Sequence, residues 1–347
     1  MQTLLNRYLP VLLFGLIAFL LAASLARAAG LDRAHPAVRA AVAVQGQHTP
    51  YLMGKPDVVG TAVGLAADGR PAILIATKRP VAPGVFPDSI EDLPVQVVVT
   101  GEFFALAPPP GKGKPPKDTI DPKARFERPV PIGVSTGNHY ECSAGTIGAR
   151  VKKRASVYAL SNNHVYAREN AAAPGEAVLQ PGLYDTGCVY SSNNEIGNLS
   201  EFVAIQFGTG DNRVDAAIAA SDADRLGKST PANGYGTPKT QPEEAALDMA
   251  VQKYGRTTAL TRGKVIGINA TVRVTYGSGT ATFVDQVWVG SSKGAFIKAG
   301  DSGSLLVTDP GKAPVGLLFA GDASGRNGIA NRIQDVLSGL GVEIDGE

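Results

Sequence analysis

Gly300-Asp301-Ser302-Gly303-Ser304 runs straight into an apolar stretch that begins at Leu305. A serine in this setting is a candidate nucleophile, because each neighbour has a mechanical job. Gly300 can take the backbone conformation that aims its amide, with that of Ser302, at a developing oxyanion. Gly303 leaves open space beside the hydroxyl. Free serine is a poor nucleophile, so the chemistry also needs a base. Upstream, His164 stands in Asn162-Asn163-His164-Val165 after the strand-like run 157–160, and Asp215 heads Ala216-Ala217-Ile218. Asp211 and Asp222 compete for the acidic position, but neither heads an apolar strand. Such a set would perform acyl transfer. His164 would take the hydroxyl proton and later give it to the leaving group, while Asp215 would fix the imidazole tautomer.

The order His, Asp, Ser is that of chymotrypsin-like enzymes and not of subtilisins or α/β-hydrolases. From residue 131 to about 342, the chain resembles the trypsin-like serine proteases. The GDSGS box carries most of that likeness. The histidine segment fits loosely, since the family's alanine-alanine-histidine-cysteine is Asn162-Asn163-His164-Val165 here. The resemblance implies a trypsin-like serine endopeptidase acting on a peptide or protein, with His164, Asp215 and Ser302 catalytic and the amides of Gly300 and Ser302 as oxyanion hole. It also implies a substrate edge along Phe319, Ala320 and Gly321, with Gly328 on the pocket's far wall. Phe296 falls where the pocket floor is expected and gives no reason for a basic substrate side chain, so small or apolar residues are favoured. Family zymogens are cut before an Ile-Val-Gly-Gly start whose new amine meets the aspartate preceding the serine. Here Ile132-Gly133-Val134 is hemmed in by Pro129 and Pro131, so Asp301 is expected to have another partner. Two alternatives stay open: a catalytically silent peptide- or protein-binding module on the same fold, and an esterase using the same triad.

The N-terminus reads as a signal peptide over residues 1–28. Arg7 supplies the positive charge, residues 9–25 are apolar apart from Pro10, Gly15 and Ser24, and Ala26-Arg27-Ala28 offers a cleavage site. Export to the periplasm or medium is expected, with an uncleaved anchor as the alternative. Export permits the two cysteines, Cys142 and Cys188, to pair, and the resemblance implies a disulfide pinning the histidine loop. Two separate buried thiols are the other reading. A net charge of +2 over 347 residues gives no footprint for nucleic acid or an anionic membrane, and no membrane contact is expected once the leader is gone. No cofactor is implied, and no metal: His139 with Cys142 makes half a site at most. Nothing here speaks to oligomeric state.

The elements that must position these residues are mostly strands. Gly (41) and Pro (24) punctuate short Val-, Ile- and Thr-rich runs, which predicts a mainly β body. The resemblance turns this into two six-stranded antiparallel β-barrels of chymotrypsin type, at 131–222 and 248–342, joined by a polar bridge at 223–247. A small α+β N-terminal domain over 31–107 precedes them, read equally as a possible prodomain that assists folding or blocks the cleft, as an extra substrate-binding domain, or as a structural domain. Within it the pattern predicts a helix from Pro36 to Met53, three strands with an Asp68-Gly69 hairpin turn, and a short helix from Asp88 to Leu93. A proline-rich linker fills 108–130. Its glycine–lysine pairs lack the spacing of a phosphate-binding loop. In the second barrel, separate strands are expected at 258–268 and 270–276, and a short helix closes the chain at 333–340.

Overall fold

Residues 31–105 and 120–347 are described in the computed structural model. The expected signal peptide and residues 108–119 of the linker lie outside the described residues. The predicted first helix is present as α1 (Pro36–Met53), with proline in its first turn, where the missing amide costs nothing. Strands β1 (Val58–Leu65) and β2 (Pro71–Thr77) form a hairpin about the Asp68-Gly69 turn. The expected helix at 88–93 is not formed. Ser89–Ile90 is instead a short strand, β3, turning back onto β4 (Leu93–Val99), and the chain reverses at Glu91 and Asp92 with φ of 46° and 66°. Flanking Pro87 and Pro94 leave too little chain for an amide-bonded helix between them. The segment ends in β5 (Phe103–Ala105).

The rest of the described chain follows as two sheet units. The first carries β6 (Ser135–Asn138), β7 (Gly145–Thr146), β8 (Ala149–Lys153), β9 (Ser156–Ser161), the one-turn α2 (Asn163–Tyr166), β10 (Ala177–Leu179) and β11 (Glu195–Phe202). After the two-residue β12 (Asp211–Asn212) comes β13 (Ala217–Ser221). The second carries β14 (Ala250–Gly255), β15 (Ala259–Tyr276), β16 (Gly279–Gly290), β17 (Leu305–Thr308), β18 (Pro314–Asp322) and β19 (Asn327–Arg332). Helix α3 (Ile333–Leu340) and β20 (Glu343–Ile344) end the chain. The first unit is an eight-stranded sheet in the order β20-β8-β9-β13-β11-β10-β6-β7, a half-barrel. In the second, β16-β19-β18-β17-β14-β15 closes on itself because β15 also pairs β16.

Two features of the second unit depart from expectation. The strands expected at 258–268 and 270–276 are one continuous strand, bent at Asn269 (φ 52°), where the register shifts. The Asn269 side chain donates to Gln45 of α1 at 2.6 Å, so the bulge is held by the N-terminal segment. That segment also extends the sheet, with β1 pairing antiparallel to β15 and β2, β4 and β3 continuing outward. Val38, Ala41 and Val63 share one buried cluster with Val251, Val289 and Leu318. A second buried cluster joins Leu160, Val214 and Ile218 of the first unit to Leu305, Leu317 and Val336, fixing the two units against each other. Among the described residues no helix is long and apolar enough to cross a membrane.

Cys142 and Cys188 form a disulfide, with Cα atoms 5.2 Å apart. It closes a loop of 46 residues around His164 and should stabilise the fold by roughly 4 kcal/mol. Denaturant melts with and without reductant are expected to show that loss, and superimposable melts would contradict it.

Candidate active site

Strand pairing brings the histidine and aspartate together. β9 and β13 are neighbours, with Ser161 opposite Ala217, so the residues flanking that pair converge. Asp215 is fully buried. Its Oδ2 accepts His164 Nδ1 at 2.6 Å and its Oδ1 accepts the His164 backbone amide at 3.3 Å. Asp211 stays exposed and Asp222 pairs with Arg225. The departure from the family pattern before the histidine has a local use. Asn162 Nδ2 donates to the Asp215 carbonyl at 2.7 Å, and Asn163 Nδ2 to the Val203 carbonyl at 2.7 Å.

A carboxylate on Nδ1 leaves Nε2 as the basic nitrogen, and among the described residues Nε2 has no hydrogen-bond partner. Burial alone disfavours the imidazolium. The Asp215 carboxylate and its hydrogen bond, with Glu169 and Glu141 behind them, outweigh burial and hold the His164 pKa above the ordinary value. A third donor to Asp215 was not foreseen from the sequence: Tyr276 Oη, at 2.9 Å from Oδ2. An aromatic in a strand reads as core, and nothing local marks it otherwise.

Ser302 lies in a loop built by its neighbours. Gly300 and Gly303 have φ of 92° and 94°, and a Cβ at the first would strike Arg256 and Thr257, at the second Ser161 and Thr146. Both positions therefore demand glycine on conformation and on space. The amides of Gly300 and Ser302 have no acceptor among the described residues. The Ser302 carbonyl accepts the Thr146 amide at 2.8 Å, and Gly145 beside it packs against Val165, next to His164. Ser302 Oγ donates to the Phe319 carbonyl at 3.3 Å.

Asp301 has the alternative partner expected of it. Its Oδ2 lies 3.4 Å from Lys253 Nζ, with both side chains fully buried. Its oxygens also accept the amides of Thr257 (2.8 Å), Thr258 (3.1 Å) and Lys298 (2.9 Å) and the Thr258 hydroxyl (2.7 Å). Burial pushes the Lys253 pKa down, and Asp301 opposes that. Lys253 was not legible, since a lysine in a strand reads as a solvent-facing residue. Lys253→Met should destabilise the fold by about 3–5 kcal/mol, because it strands the Asp301 charge. Chemical denaturation of the variant measures this, and a loss under 1 kcal/mol (about the worth of an exposed pair) would argue against the pairing.

The residues expected along the substrate edge are already paired. Ala320 stands opposite Ala105, Gly321 opposite Phe104 and Asp322 opposite Phe103, an antiparallel register between β18 and β5. Gly328 lies across β18 from this edge, opposite Gly321, and packs near Ile297 and Phe296. Phe296 is fully buried. A cavity of about 260 Å³ beside the serine loop is lined by Ile297, Ala299, Asp322, Ala323 and Gly325, with Thr257 and Lys298 completing it. Among the described residues no group of His, Cys, Asp or Glu is placed to hold a metal, and His139 stacks on Tyr140.

No family model matches the chain, and no curated protein matches it. Solved structures do. The chain is similar to chymotrypsin-fold serine proteases. One is a glutamic-acid-specific serine protease, 20% identical, covering 62% of this chain and 100% of that one with a TM-score of 0.45. Another is Thermobifida fusca protease A, at 21% identity, 63% and 99% coverage and a TM-score of 0.45. A Nocardiopsis protease is 16% identical, with 62% and 98% coverage and a TM-score of 0.45.

Proposed function

We propose that the chain is an exported serine endopeptidase working through an acyl-enzyme on Ser302. The observation that carries this reading is the buried Asp215–His164 couple at 2.6 Å, with Nε2 left open. In the mechanism, the Ser302 hydroxyl turns from Phe319 toward Nε2; such slack is common in unliganded sites. His164 takes the proton as Oγ attacks the substrate carbonyl, and Asp215 stabilises the imidazolium. The unengaged amides of Gly300 and Ser302 receive the oxyanion, where a single donor is typically worth about 3 kcal/mol. The proton then passes to the leaving amine, and water deacylates the enzyme by the reverse route. The apolar cavity and buried Phe296 favour small or apolar side chains at the primary subsite. Turnover of peptides set against simple acyl esters tests the reading. Peptide cleavage supports it, ester turnover alone makes the chain an esterase, and binding with no turnover makes it a silent module.

The unit at 31–107 is proposed to be a prodomain that blocks the cleft, with barrels at 131–222 and 248–342 as the mature enzyme. The specific support is the β5–β18 pairing along the edge where a peptide substrate would add as a strand.

A further inference from the structure

We infer that Tyr276 is a positioning residue for the His164–Asp215 couple, a part of the site supplied by the long β15–β16 hairpin. The inference deepens the protease reading and rests on it. Tyr276 is the last residue of β15 and is nearly buried. Its hydroxyl donates to Asp215 Oδ2 at 2.9 Å, the same oxygen that receives His164 Nδ1. Its ring meets the imidazole edge-on, with centroids 5.8 Å apart and planes at 73°. Phe207, partly buried, also meets the ring edge-on, with centroids 5.6 Å apart. The ring therefore cannot leave Asp215 without repacking a buried aromatic cluster.

The hairpin tip is latched beside the histidine. Glu169, just beyond α2, accepts the amides of Gly277 at 3.1 Å and Ser278 at 2.7 Å. One short segment thus carries the base and holds the tip that carries Tyr276. Burial and the nearby Asp215 and Glu169 carboxylates keep the phenol protonated well above the ordinary tyrosine range, so it remains a donor throughout the working pH range.

The phenol has two effects on the couple. It fixes the carboxylate's orientation, and by withdrawing charge from Oδ2 it tempers the pull of Asp215 on the imidazolium. Glu169 and Glu141 add negative charge facing His164, and Arg168 acts against Glu141. Without the phenol, the long 3.3 Å bond from the His164 amide to Oδ1 is the remaining donor, apart from His164 Nδ1, to the Asp215 carboxylate among the described residues.

The test is Tyr276→Phe in the full chain, followed by NMR titration of isotope-labelled histidine. The His164 titration is expected to move to higher pH. Turnover should fall about 10- to 100-fold, the worth of one hydrogen bond to a charged group, with KM held and the acid limb of activity shifted the same way. 3-Fluorotyrosine at position 276, a stronger donor of the same shape, should shift His164 to lower pH and serves if the Phe variant does not fold. An unmoved His164 titration in a folded variant overturns the inference. So does a turnover loss that tracks a fall in Tm with the acid limb in place, since that is packing alone. If the wild type neither cleaves peptides nor reacts with a fluorophosphonate, the protease reading fails, while opposite NMR shifts in the two variants still establish the coupling.

Discussion

Ser302→Ala is expected to lower peptide turnover by roughly 10⁶-fold, as loss of the attacking atom does in unrelated serine proteases, and to abolish fluorophosphonate labelling. The fold should survive, because the hydroxyl makes a single 3.3 Å bond to Phe319. His164→Ala should cost nearly as much, and the effects should not add, since the residues act as a unit. Asp215→Asn should cost about 10⁴-fold by favouring the wrong imidazole tautomer. The pH profile gives an independent check. In the proposed mechanism turnover needs neutral His164, whose pKa is held above its ordinary 6.5 by the carboxylates around it. The acid limb should therefore lie above that value, and Glu169→Gln should move it down by removing one of those charges. Labelling at another serine in Ser302→Ala would overturn the assignment.

Cutting the chain within 106–119 and removing the released N-terminal unit is expected to raise kcat/KM by about 10- to 100-fold. A tethered strand occupies the β18 edge at an effective concentration on the order of millimolar, and an untethered one is diluted away. The cut alone should release little activity, because β1 stays paired to β15 and the unit shares a buried cluster with the second barrel. Activity should appear as the unit dissociates or is digested. The measurement pairs a protease site engineered into that linker with size-exclusion chromatography and peptide turnover of each fraction. If residues from about 120 onward cannot be obtained folded, or if the uncut chain already cleaves at full rate, β5 is a structural strand of the enzyme and not an occupant of its cleft.

The serine loop was legible in the sequence because its constraints are local. Gly300 and Gly303 are required by their own backbone angles, and a short motif records such requirements directly. His164 and Asp215 were legible as a pair because each follows or heads an apolar run, and those runs became the neighbouring strands β9 and β13. The first helix, the Asp68-Gly69 turn and the closing helix α3 were legible for the same local reasons. The expected helix at 88–93 failed because two flanking prolines outweigh a short apolar pattern. Tertiary structure alone decided the rest. Tyr276 reaches Asp215 across 61 positions, Lys253 reaches Asp301 within a fully buried pair, and β5 reaches β18 from the far end of the chain. Side-chain alternation says which face a strand buries, but which distant group meets that face depends on sheet order and register. Those are set by the whole pattern of burial and pairing, to which no single segment holds the key.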